Sequence, residues 1–160
     1  MALELLKEGH RKALAVVAEL ETALEQVKAG DATPAAAAVR RLLPFLEKEQ
    51  EVHFRQEEEG LFLYLAKITG DGPIQAMVGE HESYWKAVAD LREAVDRGGV
   101  AALVKLLDHI VSMLKGHINR EETAYFPMAE QRLTAQQLAA VDEEMAIIAR
   151  IGAARAPRYQ

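Results

Sequence analysis

The sequence predicts an all-α protein, an up-down-up-down four-helix bundle followed by a short C-terminal fifth helix. Apolar residues recur at intervals of three and four along four long stretches, and no segment alternates with the period of a strand. Breaks at Gly30-Asp31, Gly70-Asp71-Gly72 and Gly98-Gly99 join those stretches by only a few residues, which makes them antiparallel neighbours. Half of the 160 residues are apolar, and Ala, Leu, Glu and Val dominate, a mixture that favours helix.

The first helix is expected from about Ala2 to Lys28, where Gly30-Asp31 stops it. Thr33 as cap, with Pro34 in the first helical position, reads as the start of the second. This helix runs to about Lys67, with a kink expected at Pro44, which lacks an N–H for the ladder. Pro73 reads as the opening of the third helix, which ends near Gly98-Gly99. The fourth starts near Val100 and runs to the Pro127 region. Thr134-Ala-Gln-Gln137 is a capping box for the fifth, which runs to about Arg150. The expected organisation is one domain over residues 1–152. Its bundle covers about 2–130, its fifth helix about 135–151, and a frayed tail occupies 153–160.

Charge and composition exclude several function classes. Lys and Arg number 19 against 25 Asp and Glu, and a net charge of −6 repels nucleic-acid phosphates and anionic lipid. With no cysteine, disulfides, iron–sulfur clusters, thiolate nucleophiles and thiolate zinc sites are all excluded. The first turns carry Glu4 and Glu8 and no apolar signal-peptide segment. No stretch approaches the roughly 20 apolar residues needed to cross a bilayer. The expected location is the cytoplasm.

Each helix has one inward stripe. Leu3, Leu6, His10, Ala13, Val17, Leu20, Leu24 and Val27 form the first. Leu43, Leu46, Gln50, His53, Glu57, Gly60, Tyr64 and Ile68 form the second. The third is Ile74, Met77, His81, Tyr84, Val88, Leu91 and Val95. The fourth is Leu103, Leu107, Ile110, Leu114, His117, Glu121, Ala124 and Met128. Every stripe is apolar except for one polar patch that contains histidine, and in two of them a glutamate stands four residues further on.

Counting from the turns brings the patches to one level. His10 lies 20 residues before Gly30 and His53 lies 19 after Pro34; His81 lies 17 before Gly98 and His117 lies 17 after Val100. Glu57 lies 10 before Lys67 and His81 lies 8 after Pro73, which agrees within about 3 Å. A lone core histidine is ordinarily hydrogen-bonded, and a lone His-x-x-x-Glu is ordinarily a surface pair. Six such groups in one layer call for a common partner, because buried charge is costly unless paired or bound to metal. Imidazole with carboxylate and no sulfur suits iron, manganese or zinc. Four His and two Glu exceed one tetrahedral zinc, whereas two bridging carboxylates can join two ions that hold two His each. The Glu-x-x-His pattern of ferritin-like sites is absent, since Lys7, Gln50, Val78 and Leu114 stand three before the histidines.

His10, the segment His53-Phe-Arg-Gln-Glu57-Glu-Glu-Gly-Leu-Phe62, Gly79-Glu-His81 and His117-Ile-Asn-Arg-Glu121-Glu-Thr-Ala-Tyr-Phe-Pro127 resemble hemerythrin-type HHE cation-binding domains of bacterial type, over about residues 3–130. The resemblance implies a hemerythrin-like bundle with two Fe ions in an oxo- or hydroxo-bridged di-iron centre. His10 and His53 would serve one iron, His81 and His117 the other, and Glu57 and Glu121 would bridge. It implies O2, or another small diatomic molecule or anion, as the partner. Carriage, sensing or scavenging of oxygen leads. A di-iron enzyme acting on peroxide, O2 or NO, or iron storage and delivery to damaged iron centres, stays as the alternative. Five-histidine relatives carry a further imidazole where this chain has Met77, so an open coordination position is expected there.

Around these residues, Glu58 and Glu122 read as solvated or as hydrogen-bond partners of the ligands, with a terminal-ligand role left open by relatives lacking a histidine. Gln50 is a candidate hydrogen-bond partner for a ligand. Tyr84, Trp85, Tyr125 and Phe126 read as pocket wall, and His109, about 100° off its stripe, as a surface residue. Gly60 is expected either to leave a small cavity or to allow close helix approach. The apolar face of the fifth helix, Leu138, Val141, Met145 and Ile148, needs a partner in this bundle or in a second subunit.

Overall fold

The computed structural model describes residues 3–152; the expected start at Ala2 and the tail at 153–160 lie outside them. The described residues form five helices and no strand. Helix α1 is Glu4–Lys28. Helix α2 spans 32–69 without interruption, from Ala32–Pro44 to Phe62–Thr69. Helix α3 is Asp71–Arg97. Helix α4 spans 100–132, from Val100–Arg120 to Phe126–Arg132, and α5 is Ala135–Gly152. In the bundle, α1 packs against α2 and α4, and α3 packs against the same two. None of the five helices is long and apolar enough to cross a membrane among the described residues.

Several boundaries differ from the sequence reading. Helix α2 starts at Ala32 after Asp31, and α3 starts at Asp71 after Gly70, whose φ of 81° suits glycine. Pro34 and Pro73 are therefore third helical residues rather than first. Both positions tolerate proline because the first four N–H groups of a helix have no partner within it. Helix α4 continues past Pro127 to Arg132. The capping box forms as expected. Thr134 N–H donates to Gln137 Oε1 at 2.9 Å, and Gln137 N–H donates to Thr134 Oγ1 at 3.2 Å.

The larger difference lies inside two helices. Three turns widen to the i→i+5 pattern, at Phe45–Glu49, Glu57–Leu61 and Glu121–Tyr125. Proline borders two of them. Pro44 immediately precedes the first and Pro127 lies just beyond the third, and each removes an ordinary ladder bond. Gly60 lies inside the second. Helix α2 thus absorbs Pro44 through a widened turn. Each such turn adds one residue and rotates the next stretch of helix by about 100°. Beyond the second and third of these turns the inward stripe shifts accordingly, whereas beyond the first Gln50, His53 and Glu57 are buried as read. Beyond Glu57, Gly60 is buried as expected, but then Leu61, Phe62 and Leu65 are buried where Tyr64 and Ile68 were expected; beyond Glu121 the buried residues are Phe126 and Ala129, where Ala124 and Met128 were expected. The stripes of α1 and α3, which have no wide turn, are buried as read.

The core divides into two apolar clusters along the bundle. One contains Val17, Leu20, Leu46, Leu91, Leu107 and Leu114; the other contains Leu3, Leu6, Leu61, Met77, Phe126 and Met145. Helix α5 closes the second by packing on α2, with Val141, Met145 and Ile148 buried. Its apolar face therefore has its partner within this chain. Leu3, buried with a left-handed φ of 66°, is held by a hydrogen bond from its N–H to Asp142 of α5 at 3.1 Å.

Candidate metal centre

Between the two clusters, all four long helices turn polar side chains inward. His10, His53, Glu57, His81, His117 and Glu121 are all buried, and they meet in one layer. Both carboxylates sit at the first residue of a widened turn, Glu57 in α2 and Glu121 in α4. Such turns recur at functional sites because they re-aim side chains without ending the helix.

The two oxygens of Glu57 face different histidines. Its Oε1 lies 2.6 Å from His53 Nε2 and 3.8 Å from His10 Nε2. Its Oε2 lies 2.9 Å from His81 Nε2 and 3.4 Å from His117 Nε2. Glu121 Oε2 stands between the pairs, 2.9 Å from His10 Nε2 and 3.5 Å from His117 Nε2. Two groups therefore have a metal-ligand arrangement: His10 with His53, Glu57 and Glu121, and His81 with His117 and Glu57.

The opposite nitrogens of three histidines are fixed by carboxylates. Glu122 lies 2.6 Å from His10 Nδ1, Glu58 lies 2.7 Å from His81 Nδ1, and Glu80 lies 2.8 Å from His117 Nδ1. An Nδ1–H that donates to a carboxylate fixes the tautomer and leaves Nε2 to face the layer. Arg120 in turn donates to Glu80. Glu58 and Glu122 are thus engaged behind the rings, not turned into the layer. Glu80 was not singled out from the sequence. It reaches His117 across the α3–α4 contact, and only its place beside His81 hinted at a role. Gln50 is buried, but among the described residues His53 Nδ1 has no hydrogen-bond partner, Gln50 included.

Rings pack the layer from both sides. Phe54 stacks on His81 with ring centres 3.8 Å apart, and Phe126 lies parallel to His10 at 5.1 Å. Tyr84 and Trp85 meet Phe54 edge-on, and the Tyr84 hydroxyl donates to the Leu46 carbonyl at 2.8 Å. Gly9 and Gly60 are sites of close approach. A side chain at Gly9 would place Cβ 2.4 Å from His53 Nδ1, and one at Gly60 would meet Met145 of α5 at 3.3 Å. Met145 thus occupies space beside Gly60, which fits the close-approach reading of that glycine. His109 is exposed near Ser83, away from the layer.

The charges call for cations. Burial works against a charged His10, yet hydrogen bonds to Glu121 and Glu57 outweigh it and raise its pKa to about 10. His117 rises to about 10 likewise, burial being overcome by Glu57 and Glu80. Burial also opposes a charged Glu57, but the surrounding histidines hold its carboxyl well below the usual range. Glu121 moves the other way, raised by burial and by the charge of Glu57. Glu80 is held at about 2, burial being outweighed by His117 and Arg120. Imidazolium protons thus neutralise carboxylates where a metal would.

The bonding is incomplete without one. Glu57 Oε1 and Glu121 Oε1 are buried and have no aligned hydrogen-bond donor among the described residues, and His81 Nε2 meets His117 Nε2 at 3.1 Å. Two ring nitrogens pointed at each other, beside stranded carboxylate oxygens, fit a shared cation. The all-nitrogen and oxygen donor set suits iron, manganese or zinc.

The hemerythrin HHE cation-binding domain model matches residues 1–150 of the chain. Neither the curated proteins nor the solved structures yield a match.

Proposed function

Because the chain belongs to the hemerythrin HHE cation-binding family, we propose that it holds two iron ions in the buried layer and binds O2 or a related small molecule there. His10 and His53 would hold one ion, His81 and His117 the other, with Glu57 and Glu121 bridging. The single observation that carries this reading is Glu57, whose two oxygens face separate histidine pairs at 2.6 and 2.9 Å. When bound, the iron pair supplies electrons for reversible attachment of a small oxidant.

The chain's own residues orient and enclose that chemistry. Glu58, Glu80 and Glu122 hold the rings of His81, His117 and His10 from behind, so their Nε2 atoms need no reorganisation to receive metal. Phe54, Phe62 and Phe126 exclude water from the layer, which strengthens every electrostatic interaction inside it.

Met77 favours a second reading, an enzyme that consumes peroxide, O2 or NO. It is buried one turn before His81, and a thioether is a soft, weak ligand for iron. The His81–His117 ion would then have two imidazoles and room for a reactant.

Anaerobic loading with Fe(II), then elemental analysis and mixing with O2, tests both readings. Two irons per chain and a long-lived coloured adduct support carriage or sensing, and rapid oxidation with peroxide consumption supports the enzyme. Protein that takes up no iron under these conditions would sink both.

A further inference from the structure

The four histidines differ in what stands behind them. His81, His117 and His10 each have a carboxylate on Nδ1, whereas His53 Nδ1 is buried with no partner among the described residues. Beyond His53 lies a cleft of about 160 Å³, bounded by Glu8, Gly9 and Lys12 of α1, Glu49 of α2 and Ala149 of α5. Its lining is more apolar than polar, and Glu8, Lys12 and Glu49 supply the charged groups at its wall. On the opposite side His81 and His117 are fully buried, and both Phe54 and Phe62 stack against His81.

Resting on the two-iron reading, we propose that the two metal positions differ in exchange. The ion at His10 and His53 enters and leaves through the cleft beside Gly9, and the ion at His81 and His117 is retained.

An imidazole whose Nδ1–H donates to a carboxylate is a more basic and better oriented ligand, and loss of such a partner typically costs roughly 10–100-fold in metal affinity. Among the described residues no group accepts the His53 Nδ1–H, so the ring lacks the anchor of the other three and turns away from a bound ion more readily. Gly9 presents no side chain to block that motion, whereas the phenyl rings hold His81 in place. Glu8 and Glu49 at the cleft wall give an incoming cation a negative approach, and Lys12 is the opposing charge beside them.

The test is release of iron from the loaded full-length chain to excess chelator without oxygen, read by absorbance of the chelate. Native protein should release one iron roughly tenfold or more faster than the other. Ala149→Phe, at an exposed cleft position outside the six layer residues, should slow the fast phase several-fold and leave the slow one unchanged. His53→Ala should keep one iron that leaves at the slow rate. Two irons leaving in a single phase, or a fast phase indifferent to Ala149→Phe, overturn the proposal while leaving two-iron binding intact. Native protein that takes up fewer than two irons overturns the two-iron reading itself, and this proposal with it.

Discussion

Toward the turns at 29–31 and 98–99, the four long helices meet over Val17, Leu20, Leu46, Leu91, Leu107 and Leu114, all buried and all apolar. A few turns further along, the same helices bury four imidazoles and two carboxylates. The apolar region is stabilised by area removed from water, at about 25 cal/mol per Å², and tolerates side chains of similar volume. The polar layer is stabilised only while its charges balance, since taking one partner away leaves the others buried and unpaired. The contrast teaches that packing and site chemistry should fail separately in this bundle.

The largest expected effect sharpens that separation. Glu57→Ala should abolish iron binding at both positions, because Glu57 faces all four histidines; elemental analysis of the loaded variant reads it. Leu107→Ala should instead cost about 2–5 kcal/mol in denaturant unfolding while two irons remain bound. If Leu107→Ala empties the site, or Glu57→Ala leaves it full, the two regions are not independent.

The next effect is on pH. In metal-free protein the pKa values of His10 and His117 rise from 6.5 to about 10, so the stability they contribute is fully present below about 6.5. It is lost as pH rises through about 10. Iron requires neutral imidazoles, so its binding strengthens over the same rise. The melting temperature of metal-free protein should therefore fall from neutral to alkaline pH, while its gap to the loaded protein widens. Parallel curves would show that the layer does not carry the charge assigned to it.

Gly9→Ala should have a smaller effect, confined to one side of the layer. The new Cβ would stand 2.4 Å from His53 Nδ1 and push that ring aside. Iron content near one per chain, with thermal stability lowered only modestly, is the expected result. The smallest effect is that of Tyr84→Phe, at the border of the two regions. Loss of the hydroxyl strips the Leu46 carbonyl of a hydrogen bond at a cost of about 1–3 kcal/mol, and iron content should not change.

The sequence was most legible where helices are regular. The stripes of α1 and α3 keep to the 3.6-residue period throughout, and each of their residues is buried as read. The same period carried α2 as far as Glu57 and α4 as far as Glu121, far enough to bring the six layer residues together. It failed beyond those glutamates, where each added residue moved Leu61 and Leu65, or Phe126 and Ala129, onto the buried face. Pro44 and Pro127 were visible as disturbances, but residue types do not reveal whether a helix kinks, stops or widens at a proline. Glu80 was hidden for another reason. Its partner lies across a helix contact, and such pairings depend on which faces adjoin.

By itself the sequence determined the five helices, the antiparallel order and the level at which the histidines and glutamates meet. Periodicity, turn residues and a fixed rise per residue are local properties, and they add up along the chain. Only the tertiary structure decided which carboxylate stands behind which ring, why Gly9 has no side chain, and that Met145 of α5 occupies space beside Gly60. Those are contacts between helices, set by crossing geometry and by wide turns at the glutamates. Neither is encoded in any one helix, because each depends on what the neighbouring helix presents.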